Sequence, residues 1–293
     1  YLTEESESYS GGARLRLYRG SMYYTSALSA GVYKLSIPWV NANSSANEVY
    51  VYTRTSEGVL SDALETFTAT GSTSGTFTYV ITVPDGYSIA FKGNEGGSAN
   101  NNGRMDYMTL QRVVPIDIKT TGTTFSSAYP IDCANLPEGV TAYEVTNMTS
   151  RQVTAVEVTE AVKAGTGLIF KATEAGNYPT PVGATGTDIS GTNKLQAAVS
   201  ETTIETDNIY GLKDGNFVKL NKNTTIPAGK AYLEYTAPGA PELGIDFGGT
   251  TAITNTNRTN DTNIREIYNI NGQRIAQPTK GLYIVNGKKV IMK

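Results

Sequence analysis

The N-terminal part of the chain consists of short runs in which apolar and polar residues alternate. Gly, Asn, Asp, Ser and Thr separate these runs, and no long stretch keeps the 3.6-residue apolar repeat of an amphipathic helix. Their spacing is typical of a β-sandwich. The predicted strands lie at 13–18, 31–40, 47–55, 76–83, 86–93 and 104–113. The polar, glycine-rich stretch 93–103 is predicted to be an exposed loop.

A second β-rich region follows, with turn residues between its apolar runs. Its predicted strands lie at 141–146, 153–158, 166–172, 216–221 and 231–236. The polar stretch 248–263 has little to bury and is predicted to be a linker. The pattern therefore predicts an all-β chain with a sandwich domain at 1–114, a spacer or scaffold domain at 115–247, the linker, and a C-terminal β tail at 264–293.

The tail carries two Asn-Gly dipeptides, at Asn271-Gly272 and Asn286-Gly287, and alternating apolar residues flank the second. Asn-Gly supplies both positive φ values of a type I′ turn, which is the strongest short-range hairpin signal. We therefore predict two or three short antiparallel strands that form a hairpin or meander. So small a sheet is not stable alone.

Composition excludes several function classes. The 293 residues include 24 basic and 27 acidic side chains, so no broad cationic field is present and nucleic acid is not expected as a partner. The chain contains no histidine, which excludes Ser-His-Asp and Cys-His catalysis and the usual zinc sites. The single cysteine, Cys133, is interpreted as a small buried hydrophobe. No apolar run approaches the about 20 residues of a membrane span.

The tail resembles the C-terminal segment shared by many secreted and surface proteins of the Bacteroidetes, especially Prevotella-like species. Its markers are Ile267-Tyr268-Asn269, Asn271-Gly272-Gln273-Arg274 and Lys280-Gly281-Leu282-Tyr283-Ile284-Val285. The resemblance implies a sorting signal for type IX-like export, a secreted or cell-surface location and the export machinery as a partner. Because the chain begins at Tyr1 without a methionine, we expect a mature product or the C-terminal part of a longer protein.

The other two regions also show resemblances. The motifs "SAGVYKLSIPWV", "EVYVYTR" and "GRMDYMTLQRV" are similar to the jelly-roll carbohydrate-binding modules that accompany glycoside hydrolases. The motifs "AYEVT", "VKAGTGLIFKA" and "TTIPAGKAYLEY" resemble a β-module that commonly precedes this kind of tail in secreted polysaccharide-degrading or adhesive proteins. These likenesses imply a jelly-roll fold, a glycan partner and a spacer module.

A surface that binds saccharides needs exposed aromatic rings, beside guanidinium, amide or carboxylate groups that bond to the sugar hydroxyls. Side chains alternate between the two faces of a strand. If the valines of 47–55 face the core, the tyrosine and arginine side chains of this strand lie on its other face. The same alternation places Arg16 and Tyr18 of 13–18 and Tyr107 of 104–113 on the outward face. We therefore predict a patch on one sheet face, formed by Tyr50, Tyr52, Arg54, Tyr107, Arg16 and Tyr18. The alternative is that tyrosine simply favours outward strand positions.

Two further aromatic residues are candidates for the same patch. Trp39 is in phase with Leu35 and Ile37, so core packing and a ligand platform both remain open. Tyr23 and Tyr24 are adjacent and face opposite ways if the segment is a strand, so at most one of them is expected to serve, and Tyr24 is the candidate.

A metal site follows only from the jelly-roll resemblance. Related modules hold a structural calcium ion between their first and last strands. Asp106 occupies the matching place, with Glu4, Glu5 or Glu7 as possible partners. No EF-hand spacing is present, and no other cofactor is expected.

Three function classes remain. The first is a non-catalytic carbohydrate-binding and scaffold region of a polysaccharide-acting protein, with any catalytic domain placed before Tyr1. The second is an adhesin, or a structural protein of an extracellular filament. The third is a β-sandwich glycosidase or lyase, since two carboxylates suffice for glycoside hydrolysis. Its candidates are Glu48, Glu57, Glu65 and Asp106, and no spacing brings two of them together.

Overall fold

The computed structural model describes residues 2–4, 15–16, 22–41, 47–70, 74–93, 103–105, 108–235, 240–248, 267–269, 281–285 and 288–292. Side chains are described at 22–39, 48–70, 74–93, 108–235 and 240–248. The chain divides into two compact units, Tyr1–Phe247 and Gly248–Lys293. The all-β prediction is confirmed, because the described elements are strands and one short 3-10 turn at Cys133–Asn135.

The strands are short and numerous throughout the larger unit. Its first part contains β1 (Leu2–Glu4), β2 (Leu15–Arg16), β3 (Met22–Thr25), β4 (Gly31–Asn41), β5 (Asn47–Arg54), β6 (Glu65–Ala69), β7 (Ser74–Val83), β8 (Ser88–Gly93), β9 (Gly103–Met105) and β10 (Thr109–Ile118). Its second part contains β11 (Thr123–Phe125), β12 (Val140–Met148), β13 (Gln152–Glu157), β14 (Leu168–Ala172), β15 (Gly176–Pro181), β16 (Leu195–Ala198), β17 (Thr202–Ile204), β18 (Ile209–Lys213), β19 (Asn216–Lys219), β20 (Thr224–Ile226), β21 (Lys230–Glu234) and β22 (Glu242–Asp246).

The first part is a sandwich of two sheets. The first sheet has the order β1-β3-β8-β5-β6, and the second has the order β15-β10-β4-β9-β2, with β7 paired to β4. Inward side chains from both sheets meet in one core, which includes Val51 and Phe91 of the first sheet and Leu35 and Ile81 of the second. Alternating residues of each strand supply this core, as the sequence pattern predicts.

Strand β10 belongs to both parts of the larger unit. Its N-terminal half pairs with β4, and its C-terminal half pairs with β15 from the second part. The domain boundary predicted after residue 114 therefore falls within a continuous strand, since Val114 pairs with Thr180 and Pro115 with Pro179. The two parts share one sheet across this boundary.

The second part is organised around a nine-stranded sheet with the order β11-β14-β12-β13-β22-β19-β18-β21-β16. Strands β17 and β20 form a separate two-stranded sheet. The arrangement is barrel-like, because β11 at one end of the order approaches β21 near the other end. There the Ser126 amide donates to the Gly229 carbonyl at 3.0 Å, and the Ser126 hydroxyl donates to the Lys230 carbonyl at 2.8 Å. We call this approach of β11 to β21 the seam.

Two large apolar clusters fill the second part. One contains Ile118, Leu168 and Phe170, and the other contains Ile169, Phe217 and Leu233. Cys133 lies in the first cluster and is buried, which confirms its interpretation as a small core residue. Burial, followed by the charge of the neighbouring Asp132, raises the pKa of the Cys133 thiol to about 12.

The smaller unit contains β23 (Ile267–Asn269), β24 (Gly281–Val285) and β25 (Lys288–Met292) in one antiparallel sheet. Strands β24 and β25 pair antiparallel from Val285 and Lys288 outward, which confirms the predicted hairpin of short strands. Both Asn-Gly dipeptides, at 271–272 and 286–287, lie outside the described residues.

Several strands differ from their predicted positions. Strand β6, which begins at Glu65, was not predicted, because its alternation is only five residues long. The predicted strand 104–113 is two strands, β9 and β10. Strand β15 was not predicted, because Pro179 and Pro181 argue against a strand in the sequence pattern. Among the described residues, no helix has the length and apolar character needed to cross a membrane.

Candidate functional site

Strand β5 presents a polar and aromatic row on the outer face of the first sheet. Its Val51 is fully buried and Thr53 is nearly so, while Tyr50, Tyr52 and Arg54 are half-buried on the opposite side. The parity that the sequence predicts for this strand is therefore confirmed.

The pairing of β5 with its neighbours brings a second tyrosine to the same row. Tyr52 lies opposite Ala90 of β8, and Ala90 lies opposite Tyr24 of β3. Ala90 is in the outward phase of β8 yet is 0% exposed, and its neighbours across the strands on both sides are tyrosines. Two residues further along the same strands, Tyr50 lies opposite Lys92. We call this surface the tyrosine face and define it as Tyr24, Tyr50, Tyr52, Arg54, Ala90 and Lys92.

Arg54 lies over one ring of the tyrosine face. The centre of its guanidinium is 4.1 Å from the centroid of the Tyr24 ring. Its Nη1 also donates to the Thr55 carbonyl at 3.4 Å. A cation over an aromatic ring is attracted by the negative face of the ring, so this contact holds both side chains in place. The face thus combines fixed aromatic rings with a guanidinium donor.

Tyr50 is held by a hydrogen bond along its own strand. Its hydroxyl donates to the Glu48 carboxylate at 2.6 Å. This hydrogen bond first, and then burial and the Glu48 charge, raise the pKa of Tyr50 above its ordinary value. Tyr50 therefore stays protonated at neutral pH, with its ring at the edge of the face toward Thr66 of β6.

The prediction of one patch gathered from three strands is wrong. Strand β5 lies in the first sheet, whereas β2, which carries Arg16, and β10, which follows Tyr107, lie in the second sheet. The two sheets share a core, so their outer faces point in opposite directions. The structure brings together Tyr24, Tyr50, Tyr52 and Arg54. Arg16 is described by its backbone alone, and Tyr18 and Tyr107 lie outside the described residues.

Trp39 is on β4 of the second sheet and is separate from the tyrosine face. Its ring stacks on Phe77 with centroids 5.1 Å apart, and Phe77 stacks on Phe67 of the first sheet at 4.3 Å. A Cβ added at the facing Gly75 would approach the Trp39 Nε1 to 3.2 Å, so glycine leaves room for the indole. Trp39 therefore continues an aromatic stack that joins the two sheets, which favours the packing interpretation.

Sequence reasoning did not identify Ala90 and Lys92 as members of the surface. Ala90 is a small residue in the apolar run 89–91, and its outward direction follows only from the register between β8 and β5. The available signal was the parity of β8, since Ile89 and Phe91 share the inward phase.

The carboxylates proposed for hydrolysis do not form a pair in the described structure. Glu48 shares the outward phase of β5, whereas Glu65 shares the phase of the buried Phe67. Glu57 lies in the turn between β5 and β6 and is exposed. Among the described residues, no group of three potential metal ligands comes together. Asp106, Glu5 and Glu7 lie outside those residues, so the calcium site stays a prediction.

Comparison with known proteins gives no relative. No protein-family model matches the chain, and no curated protein matches its sequence.

Proposed function

We propose that this chain is a non-catalytic carbohydrate-binding and scaffold region of a secreted or cell-surface protein that acts on polysaccharides. The observation that carries the proposal is the arrangement of Tyr24 and Tyr52 on either side of the covered Ala90, with Arg54 stacked on Tyr24. The outer face of a sheet can accommodate an extended glycan chain.

The chemistry of the tyrosine face matches that of a sugar ring. The C–H faces of the sugar lie on the tyrosine rings, and the Arg54 guanidinium and Lys92 ammonium donate hydrogen bonds to its hydroxyls. One stacked ring that buries on the order of 80 Å² of apolar surface contributes about 2 kcal/mol. Two such contacts, less the cost of association, give a dissociation constant of roughly micromolar to millimolar. Binding this weak acts by tethering or avidity.

The other regions take supporting roles in this proposal. The second part of the larger unit serves as a spacer with its own apolar cores. The three-stranded tail serves export or surface attachment, and the export machinery is its partner. The resemblance of the tail to Bacteroidetes sorting segments supports this assignment.

Retention on insoluble polysaccharides tests the proposal. The purified chain is passed over cellulose, xylan and chitin and over a glycan array, and Tyr24→Ala and Tyr52→Ala variants follow on any glycan that retains it. Each substitution removes one stacking contact and is expected to weaken binding about thirtyfold. Tyr129→Ala is the matched control, since Tyr129 is also an exposed tyrosine stacked under an arginine, with Arg112 at 4.6 Å from its ring centroid.

The other function classes correspond to other outcomes. If no glycan retains the chain, the adhesin or structural class gains support. Release of reducing sugar by the purified chain would identify a hydrolase or lyase. Retention that survives both tyrosine substitutions would show that glycan binds elsewhere.

A further inference from the structure

A surface pocket of about 250 Å³ opens at the seam of the barrel-like sheet. It lies between β11 with its preceding turn on one side and β18 and β21 on the other. The strands β11 and β21 are joined at Ser126, and the pocket opens beside this junction. Its position is in the second part of the larger unit, away from the tyrosine face.

The walls of the pocket carry both charge and apolar surface. Lys119 and Lys230 supply two ammonium groups, and Asp214 supplies a carboxylate. Apolar atoms come from Leu212, Ile226, Pro227 and Ala231. Two cations against one anion give the pocket a net positive charge, so it suits a ligand with one negative group.

Thr124 gives the pocket a polar group inside the fold. It is only 7% exposed and lines the pocket. Its partner across the strands is Ile169, so its side chain is on the side of the cluster that contains Ile169 and Leu233. Within the described part of the chain, its hydroxyl makes no hydrogen bond, whereas the neighbouring Thr123 hydroxyl accepts one from the Lys119 amide at 3.0 Å. The Thr124 hydroxyl is therefore available to exchange a hydrogen bond with a ligand in the pocket.

The size of the pocket limits the ligand. Sites for drug-sized molecules usually measure about 300–1,000 Å³, so this pocket suits one small molecule or one terminal residue of a longer chain. Gly122, at the edge of the pocket, has φ +111°, a backbone conformation that favours glycine.

We propose that this pocket binds a sugar acid, a hydroxylated ring with one carboxylate. The carboxylate lies between the Lys119 and Lys230 ammonium groups, which donate charge-assisted hydrogen bonds to it. The ring hydroxyls donate to Asp214 and bond to the Thr124 hydroxyl, and the C–H surface of the ring lies on Leu212 and Pro227. The proposal does not rest on the function assigned to the tyrosine face.

Titration with sodium glucuronate tests the proposal on the full chain, with heat release and amide chemical shifts as the two readouts. We expect saturable binding at up to tens of millimolar and shifts at the residues that line the pocket. Glucose has the same ring without the carboxylate, and propionate has the carboxylate without the ring. Each is expected to bind at least tenfold more weakly than glucuronate.

Substitutions then locate the site. Lys119→Gln and Lys230→Gln are each expected to weaken glucuronate binding about tenfold, because each removes one charge-assisted hydrogen bond. Thr124→Val keeps the shape of the side chain, removes the hydroxyl and is expected to weaken binding about fivefold. Lys194→Gln is the control, since Lys194 is exposed and outside the pocket and the substitution changes the net charge equally.

Several results would overturn the assignment. These are the absence of saturable binding, equal affinity for glucose or for propionate, and unchanged affinity in both lysine variants. If Lys194→Gln weakens glucuronate binding as much as Lys119→Gln does, the lysines act only through the net charge of the chain. If Thr124→Val does not fold, the exposed lysine variants still decide the question. Tyr24→Ala and Tyr52→Ala should leave glucuronate binding unchanged, so failure here and failure of the proposed glycan surface are separable.

Discussion

Tyrosines of the two parts of the larger unit have contrasting surroundings. Tyr52 of β5 stands on the outer face of a sandwich, where one side of the sheet meets solvent. Tyr210 of β18 is 1% exposed, and its hydroxyl donates to the Ala240 carbonyl at 2.8 Å. Burial first, and then the nearby Tyr235, raise the pKa of Tyr210. For Tyr50, the main cause of the raised pKa is the hydrogen bond to Glu48 on the same strand. Tyr52 is therefore accessible on the sandwich surface, whereas Tyr210 fills the interior of the barrel-like sheet.

Among the predictions here, alanine substitution of these two tyrosines should give the largest difference in the free energy of unfolding. Tyr210→Ala leaves a cavity and an unsatisfied Ala240 carbonyl, so we expect a loss of about 3–5 kcal/mol in the free energy of unfolding. Tyr52→Ala is expected to cost less than about 1 kcal/mol, because its ring is half exposed. Urea unfolding measures both, and Tyr210→Phe shows how much of the loss belongs to the hydroxyl. Equal losses at the two positions would contradict the contrast.

The buried thiol of the second part should make stability depend on alkaline pH. The Cys133 pKa is about 12 in the folded chain, against 9.0 for an unperturbed thiol. The unfolded thiol ionises first, so this contribution to stability is fully present below pH 9 and is lost as pH rises toward 12. We expect the free energy of unfolding to fall by about 1 kcal/mol per pH unit in this window from this group.

Cys133→Ala provides the control for the pH dependence, because tyrosines and lysines also titrate there. The difference between the two unfolding profiles isolates the thiol. Parallel profiles would show that the thiol is not shielded from water, and rapid reaction of native Cys133 with a thiol reagent at pH 8 would show the same.

The smallest effect is expected on the tyrosine face. Glu48→Gln removes the carboxylate that holds the Tyr50 hydroxyl, so the pKa of Tyr50 should fall back toward 10.0. Because the pair is at the surface, the free energy of unfolding should change by less than about 0.5 kcal/mol. Ultraviolet titration of Glu48→Gln against the parent chain measures the shift, with Tyr50→Phe identifying the band. A pKa that stays raised would assign the effect to burial.

The sequence predicts properties that depend on neighbouring residues along one strand. The parity of β5, the burial of Cys133 and the hairpin of β24 and β25 all follow from local alternation or turn chemistry. Membership of a sheet depends on pairing between distant strands, which explains why β5 and β10 were placed on one face in error. Ala90 and the seam pocket were missed for the same reason, because register and the approach of β11 to β21 leave no local pattern.

The continuity of β10 has a consequence for dissecting the chain. A cut after residue 114 would divide this strand, strip β15 from the sandwich and leave bare backbone donors and acceptors along a new sheet margin. Such margins recruit other chains and precipitate. The smallest fragment that preserves the first sandwich intact therefore extends at least to Pro181, well inside the second part.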